Sequence, residues 1–484
     1  MSVIENLEPK SVWKHFDEIR KIPRCSKHEE KIREHILAFA KKNNLKVKTD
    51  KTGNVVIIKP ASKGMEKKPT VILQGHMDMV CEKNSDAKFD FSKDPINLKL
   101  KGEILTADGT TLGADNGIGL AISLAILEDK NLRHGPIEAL FTIDEETGLT
   151  GAFAMESNMI TGRILLNLDS EDFGVITVGC AGGGDTKIEL PFKTQPINGN
   201  LESLTVKVSG LRGGHSGVDI HEQRANALKL LTRMLWKAKA ADYKFYITEM
   251  KGGDKHNAIP REAYAKISID RNEKDKFITT LKQEGKNILD EIKPIDPNFK
   301  TDVEKIEKLH ATLTSDSQNK LLNLLHGLPH GVEKYSYDIP DLVETSTNLA
   351  VVSFNKNNID IAMSTRSSIK TALQDLRDRI RATSELSGAK VSEEKPYPGW
   401  KPNLGSKILG ISKKVFKDMY KQEAKVEAIH AGLECGIIGE KFPGMDMISI
   451  GPTIKNPHSP EEFINVSTVD KFYKYVLKIL ENVN

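Results

Sequence analysis

Hydrophobic and polar residues follow two different patterns along the chain, and the change comes near residue 182. Before it, the segments Thr70–Gly75, Ile137–Ile143 and Arg163–Leu168 are short apolar runs typical of buried strands. Gly117–Glu128 (GIGLAISLAILE) is apolar on every side, which indicates a buried helix. Buried strands that alternate with helices predict an α/β fold whose mixed sheet carries helices on both faces.

A helix is also predicted over Lys27–Asn44. Apolar residues recur there at helical spacing. Ser26 as N-cap and Glu29 three residues later form the sequence pattern of a capping box.

From Leu204 to about Val391 the strands become amphipathic and the helices highly charged, for example AYAKISIDR and TALQDLRDRIRATSEL. This pattern favours an α+β domain whose sheet has one exposed face. We therefore predict a catalytic domain in two parts, 1–186 and 396–484, interrupted by an α+β lid domain over 187–395. Gly182-Gly183-Gly184 and the proline-rich Pro396–Pro402 are interpreted as its hinges.

Composition narrows the function classes. The 484 residues are 38% hydrophobic and carry a net charge of +3, without the clustered positive excess of nucleic-acid binders. No apolar run approaches the roughly 20 residues that cross a bilayer, and the first ten residues do not resemble a signal peptide. We expect a cytoplasmic protein with neither a membrane nor a nucleic acid as partner. The four cysteines are far apart and are predicted to be free, reduced and mostly buried.

Acidic and imidazole side chains follow three of the predicted strands directly, and ligands of open α/β sheets bind at the carboxyl ends of strands. Asp115 lies just before the buried helix, and His458 follows the last apolar strand. Together these residues have the composition of an imidazole–carboxylate metal site. The residues that follow the three strands are His76, Asp78, Glu145, Glu146 and Asp169.

Each of these residues, taken alone, has an ordinary structural explanation. An Asp after a strand is often a helix N-cap, and a Glu-Glu pair is usually solvated. Their joint placement is harder to explain this way, because uncompensated charges at the end of a buried strand are costly.

The sequence motifs of other hydrolases and of nucleotide-binding proteins are not matched. His28–His35 is not HExxH, GGHSG lacks a GxSxG elbow, and the glycine triplet lacks the Lys-Ser/Thr of a P-loop.

The motifs GHMDMV, GADNGIG, TIDEETG, NLDSED and NPHSPEE occur in this order. In this order they resemble those of the co-catalytic di-zinc metallopeptidases that carry an inserted lid domain. Over its whole length the chain is similar to the aminoacyl-histidine dipeptidases of that clan. The resemblance implies a metallo-dipeptidase that hydrolyses Xaa-His and related dipeptides, including β-alanyl-histidine, with a metal-bridged hydroxide.

The resemblance also assigns roles in a site for two Zn²⁺ ions, for which Co²⁺ or Mn²⁺ are possible substitutes. One ion takes His76 and Asp169, the other takes Glu146 and His458, and Asp115 bridges them. Glu145 is the implied general base. Asp78 lies two residues after His76, a spacing that lets its carboxylate accept the other ring N–H and fix the imidazole.

Substrate contacts are implied at His215, Asn257, Arg366 and Gly432. His215 matches a lid histidine that reaches the tetrahedral intermediate. Asn257 and Arg366 match positions that hold the C-terminal carboxylate of the substrate, and Gly432 lies in a loop expected against the substrate. Two alternatives remain open. One is the same chemistry on another substrate class, as in an N-acyl-amino-acid amidohydrolase, a carboxypeptidase or a tripeptide aminopeptidase. The other is an inactive binding or scaffold relative. A homodimer through the lid domain is expected, with a monomer as the alternative.

Overall fold

The computed structural model describes residues 3–484, and these fold as two compact units. Of the described residues, unit 1 contains 3–180, 400–428 and 433–484, and unit 2 contains 181–399 and 429–432. The predicted boundaries at 186/187 and 395/396 therefore lie inside unit 2. The role of the inserted segment as a lid and dimer surface stays a prediction.

The α-helices of the described residues are α1 Lys10–Ile19, α2 Glu30–Lys42, α3 Ala114–Glu128, α4 Glu145–Gly148, α5 Thr150–Ala154, α6 Ala227–Ala240, α7 Lys274–Ile292, α8 Ser315–Gly327, α9 Lys370–Leu386, α10 Lys407–Tyr420, α11 Glu434–Lys441 and α12 Val466–Asn482. None of them is long and apolar enough to cross a membrane.

The strands are β1 Lys46–Thr49, β2 Val55–Lys59, β3 Val71–His76, β4 Leu98–Lys101, β5 Ile104–Ala107, β6 Ile137–Thr142, β7 Ile164–Asn167, β8 Val175–Cys180, β9 Gly182–Pro191, β10 Thr194–Pro196, β11 Leu201–Ser209, β12 Gly214–His215, β13 Phe245–Gly252, β14 Ala258–Ile259, β15 Ala263–Asp270, β16 Lys300–Lys305, β17 Ala311–Leu313, β18 Gly331–Tyr335, β19 Val343–Phe354, β20 Asn358–Ser367, β21 Lys390–Glu393, β22 Lys425–Ile429, β23 Asp446–Ser449, β24 Ile454–Lys455 and β25 Phe463–Asn465.

Unit 1 is built on a mixed sheet of order β1-β2-β6-β3-β7-β23-β8-β22. Its central strands β6, β3, β7 and β23 are parallel to one another. Strand β2 is antiparallel to β1 and β6, and β8 is antiparallel to β23. Every residue of β3 and β6 is buried, which explains why apolar residues dominate their sequences. The predicted α/β fold with a mixed sheet is confirmed.

Unit 2 is an α+β structure whose antiparallel sheet has the order β16-β11-β15-β13-β19-β20-β9-β21, with β18 beside β19. Alternate residues of β11 and β15 are buried, so one face of the sheet carries the apolar side chains. Those side chains form one core with the apolar faces of α6, α7, α8 and α9, including Leu231, Phe277, Leu322 and Leu376. The amphipathic pattern of the sequence predicted this arrangement.

The capping box predicted at Ser26 and Glu29 is wrong. Helix α2 begins at Glu30, and neither side chain caps it. The Ser26 hydroxyl instead donates to Oδ2 of Asp78 at 2.8 Å, and Glu29 accepts the backbone N–H groups of Lys27 and Asp144. Tertiary hydrogen bonds have replaced the local ones that the sequence pattern favours.

Gly182-Gly183-Gly184 opens β9, where it is paired in register with Ser367, Arg366 and Thr365 of β20. It directly follows the boundary between the units at 180/181, and its role as a hinge stays a prediction. One further interpretation is corrected. Cys25 and Cys81 are not free thiols, because they form a disulfide. A bridge between the backbones of Cys25 and Met79 brings these distant segments together. Cys180 and Cys435 are free and buried, as predicted.

Candidate functional site

The acidic and imidazole residues of unit 1 meet at one edge of its sheet. His76 is the last residue of β3, and Glu145 and Asp169 follow the neighbouring strands β6 and β7 by a few residues. Since β6 and β7 both run parallel to β3, their carboxyl ends lie at the same edge. Oxygen and nitrogen atoms of two groups of these residues lie within 4.8 Å of one another: His76, Asp115 and Asp169, and Asp115, Glu146 and His458.

Asp115 belongs to both groups. Its Oδ1 lies 3.0 Å from Nε2 of His76, and its Oδ2 lies 3.2 Å from Nε2 of His458. The backbone at Asp115 and Asn116 is not helical although the segment opens α3, and this turns the carboxylate away from the helix. The amide of Asn116 donates to the carbonyl of Leu168 at 2.8 Å and holds this turn beside the end of β7. One carboxylate thus faces both imidazoles, one with each oxygen.

Two carboxylate oxygens at this edge are buried and have no hydrogen-bond partner among the described residues: Oε1 of Glu146 and Oδ1 of Asp169. The other oxygen of Glu146 lies 3.0 Å from Nε2 of His458, and Oδ1 of Asp169 lies 3.4 Å from Nε2 of His76, an ion-pair distance. Burial raises the pKa of Asp169 to about 7. Buried carboxylate oxygens beside imidazoles suit divalent cations, so the residues fit a metal site.

The neighbouring charges shift the pKa values of both histidines and of Asp115. Hydrogen bonds with Asp115 and Glu146 raise the pKa of His458 to about 11. Burial acts to lower the pKa of His76, but the Asp169 charge and hydrogen bonds with carboxylates raise it well above its ordinary value. For Asp115, burial acts to raise the pKa, yet hydrogen bonds with His458 and His76 lower it. The carboxylates of the cluster thus favour positive charge on the groups that lie among them.

Asp78 contacts the His76 ring at the nitrogen that does not face Asp115. Its Oδ1 lies 3.2 Å from Nδ1 of His76, which leaves Nε2 of that ring facing Asp115 and Asp169. The same carboxylate accepts the backbone N–H groups of Glu145 at 3.0 Å and Glu146 at 3.2 Å. Asp78 therefore orients the imidazole and also the turn that carries both glutamates. The contact lies where the two-residue spacing predicted it, while the role stays a prediction.

Glu145 lies between an imidazole and other carboxylates. A carboxylate oxygen of Glu145 lies within 4.8 Å of ligand atoms of both His76 and Glu146. Burial raises the pKa of Glu145 well above its ordinary value; the His76 charge opposes this, while Asp169, Glu434 and Glu146 add to it. A carboxylate with a raised pKa is better suited to accept a proton than an ordinary one. Geometry alone leaves Glu145 able to act either as a base or as a ligand.

Glu434 is a buried acid that the sequence analysis missed. Its side chain is 1% exposed, and its Oε2 accepts hydrogen bonds from Gln74 at 2.6 Å and Thr142 at 2.7 Å. Burial raises its pKa to about 7. It begins α11 beneath the ends of β3 and β6, and its position in GLECG gave no signal of burial.

Glu462 is a second missed residue, and it holds the loop of Asp115. Its carboxylate is 1% exposed and accepts four consecutive backbone N–H groups. The donors and distances are Leu112 at 2.7 Å, Gly113 at 2.9 Å, Ala114 at 2.8 Å and Asp115 at 3.2 Å. Because Glu462 lies four residues after His458, it joins the loops that carry two candidate ligands.

Arg24 joins the same region from the other side. Its buried guanidinium donates to the carbonyls of Met77 at 3.1 Å and Asp78 at 2.6 Å, and also to that of Gly113. The cation is 3% exposed and interacts with the charges of Asp78, Glu462 and Asp115. It links the loop after β3 to the loop before α3 and adds positive potential at the site.

The residues predicted to contact substrate lie in unit 2. A Cβ placed on Gly217 would be 3.1 Å from Cε1 of His215, 3.1 Å from Nε of Arg366 and 2.4 Å from the carbonyl oxygen of His430. The structure therefore brings His215 and Arg366 together with the 429–432 segment. A glycine at 217 is required by this close approach.

Asn257 and Gly432 belong to the same region of unit 2. The carbonyl of Asn257 accepts the N–H of Ser216 at 2.8 Å, next to His215, and β12 pairs with β14 beside it. Gly432 lies against the ring of Tyr397, since a Cβ placed on this glycine would be 3.0 Å from Cε2 of the ring. The four residues are thus placed in one unit, and their roles toward a substrate stay predictions.

A model of peptidase family M20/M25/M40 matches residues 72–482. The chain is 38% identical over 483 residues to the cytosol non-specific dipeptidase of Escherichia coli K12, covering 100% of this chain and 99% of that protein. It is 40% identical to the crystal structure of aminoacylhistidine dipeptidase from Vibrio alginolyticus, with a TM-score of 0.93 and coverage of 100% and 98%. The aminopeptidase PepT of Bacillus cereus, at 18% identity and a TM-score of 0.56, shares the fold.

We predict that Glu462→Gln loosens the Asp115 loop. An amide NH₂ would face backbone N–H donors that now meet a carboxylate oxygen, and each buried unsatisfied donor costs about 1–3 kcal/mol. The variant should lose about 2–4 kcal/mol of unfolding free energy and hold less divalent metal. Urea unfolding and metal analysis check this. The control is Glu461→Gln, whose side chain is exposed. Equal values for the two variants would contradict the role of Glu462.

Proposed function

Because the chain belongs to peptidase family M20/M25/M40, we propose that it is a metallo-dipeptidase that hydrolyses Xaa-His and other dipeptides. The observation that carries the proposal is the Asp115 carboxylate, which faces His76 with one oxygen and His458 with the other. Full-length similarity to two proteins named as dipeptidases supports the substrate class. The alternatives of another substrate class and of an inactive relative are not supported.

We infer a site for two divalent ions, with zinc the first choice for imidazole and carboxylate ligands. His76 and Asp169 would hold one ion, Glu146 and His458 the other, and Asp115 both. The positions of Glu146 and Asp169 support this division, since they lie in different groups that share only Asp115. Bound ions would polarise the scissile carbonyl and lower the pKa of water.

Glu145 is assigned the proton transfers. Its carboxylate takes a proton from the attacking water and delivers it to the nitrogen of the leaving amine. The raised pKa supports this, because a base that is too weak would not hold the proton until the amine leaves. Asp78 keeps the His76 ring oriented while this happens.

His215 is assigned the stabilisation of the oxyanion. Its Nδ1 accepts the N–H groups of Gly217 at 3.2 Å and Val218 at 3.0 Å. Burial lowers its pKa, so the ring is neutral near pH 7 and carries its proton on Nε2. The backbone has therefore selected the tautomer that donates from Nε2, which is the donor an oxyanion requires.

Arg366 and Asn257 are assigned to the C-terminal carboxylate of the dipeptide, and Gly432 to the substrate loop. A guanidinium suits a carboxylate through its paired N–H donors. The Nε of Arg366 is buried and has no hydrogen-bond partner among residues 3–484.

A cytoplasmic location and a homodimer through unit 2 are further parts of the proposal.

Metal removal and a substrate panel test the function together. Protein treated with a chelator should lose hydrolysis of Leu-His, carnosine and Gly-Gly, and zinc should restore it. Its thermal unfolding temperature should fall, because ions that bind only the folded state stabilise it by mass action. Full activity in metal-free protein, or turnover of an N-acyl amino acid without turnover of dipeptides, would contradict the proposal.

The adjacent glutamates give the second test. Glu145→Gln should keep both ions and lower kcat by about 10²–10⁴-fold, as for other general bases. Glu146→Gln should lose metal, and excess zinc should partly restore its activity. Metal analysis and steady-state kinetics measure both, and each variant is the control for the other. If Glu145→Gln lost metal and Glu146→Gln kept it, the two roles would be reversed.

The bridging carboxylate gives the third. Asp115→Ala removes the only ligand shared by both ions, so bound metal should fall toward zero. His76→Ala removes a ligand of one ion and should leave about one ion per chain. Metal content after equilibration at equal zinc concentration measures the difference. Equal losses in the two variants would mean that Asp115 does not bridge.

A further inference from the structure

The segment Pro396–Gly399 lies along the glycine triplet that opens β9. The N–H of Gly183 donates to the carbonyl of Tyr397 at 3.1 Å, and the N–H of Tyr397 donates to the carbonyl of Gly183 at 2.9 Å. On its other side Gly183 is in register with Arg366 of β20. Tyr397 is therefore fixed by two backbone hydrogen bonds, one strand away from Arg366.

Glycines make room for the Tyr397 ring. A Cβ on Gly183 would lie 2.5 Å from the hydroxyl oxygen and 2.6 Å from Cζ, and a Cβ on Gly432 would lie 3.0 Å from Cε2. Contacts below 3 Å to an aromatic ring cannot be accommodated without moving it. The glycine at 183 is explained by the ring that covers it.

The ring delivers its hydroxyl to Arg366. Nη1 of Arg366 donates to the Tyr397 hydroxyl at 3.0 Å. Arg366 is 8% exposed, and its Nε has no hydrogen-bond partner among residues 3–484. This hydrogen-bond partner is a phenol, so it can fix the plane of the guanidinium without forming an ion pair with it.

We propose that Tyr397 is a positioning residue for substrate recognition: it orients Arg366 so that the remaining guanidinium donors meet the C-terminal carboxylate of the dipeptide. This rests on the proposed function, in which Arg366 binds that carboxylate. Its contact with Gly432 places the same ring beside the substrate loop. The role differs from general support of the fold, because it concerns only substrates with a free carboxylate.

Tyr397→Phe tests this, since phenylalanine keeps the ring and removes the hydroxyl. The substrates are Leu-His and its C-terminal amide, assayed with the zinc-loaded protein. For Leu-His, kcat/KM should fall on the order of tenfold, mainly through KM, because a hydrogen bond to a charged group is lost. For the amide, kcat/KM should stay within about twofold of the unmodified protein, since that substrate has no carboxylate to orient.

Two further variants separate positioning from structure. Tyr337→Phe is the matched control, because that ring is 88% exposed in the same unit, and both substrates should react as before. Gly183→Ala adds a Cβ that would lie 2.5 Å from the Tyr397 hydroxyl oxygen, so it displaces the Tyr397 ring and should give the same carboxylate-dependent loss. Thermal unfolding and metal content establish that each variant is folded and loaded.

The outcomes are distinct. A loss confined to Leu-His supports the proposal. An equal loss for both substrates, or no loss for either in Tyr397→Phe, overturns it while the dipeptidase function stands. If the unmodified protein hydrolyses neither substrate, the proposed function fails and this inference fails with it.

Discussion

The repulsion among buried carboxylates at the edge of the unit 1 sheet is the constraint on which the rest of that unit depends. Asp115 lies within 4.8 Å of Asp169 in one group and of Glu146 in the other. Burying carboxylates close together is costly, and burial accordingly raises the pKa of Asp169 to about 7. Such an arrangement persists in a fold only where other interactions hold it, and positive charge at this edge stabilises it.

Those other interactions are concentrated in three groups that each tie two loops together. Glu462 accepts four backbone N–H groups of the Asp115 loop. Arg24 donates to carbonyls on the loops after β3 and before α3. Asp78 bonds the His76 ring and the turn of the glutamates. Cross-linked in this way, the loops cannot separate to relieve the repulsion.

The sequence predicted what depends on local pattern, and it missed what depends on distant partners. Apolar runs followed by polar residues located the strands and the candidate ligands, because both follow from strand geometry. Glu462 could not be distinguished from its exposed neighbour Glu461, because its donors are some 350 residues away in the chain. For the same reason the Ser26 capping pattern was misinterpreted, because the partner of the Ser26 hydroxyl is Asp78, 52 residues away. Cys25 and Cys81 likewise meet only through the fold.

Both units hold charged groups with partners that a ligand can replace or leave in place. In unit 2, Arg366 contacts a phenol; an internal carboxylate in its place would compete with a substrate carboxylate for the guanidinium. In unit 1, Asp115 faces imidazoles, which can give up their protons to accept a cation, whereas a lysine or arginine there would repel one. Arg24, the buried guanidinium nearby, donates to carbonyls and leaves the carboxylate oxygens of the candidate ligands free. The choice of neutral or displaceable partners thus distinguishes groups that serve a ligand from those, such as Glu462, whose hydrogen bonds are all made within the chain.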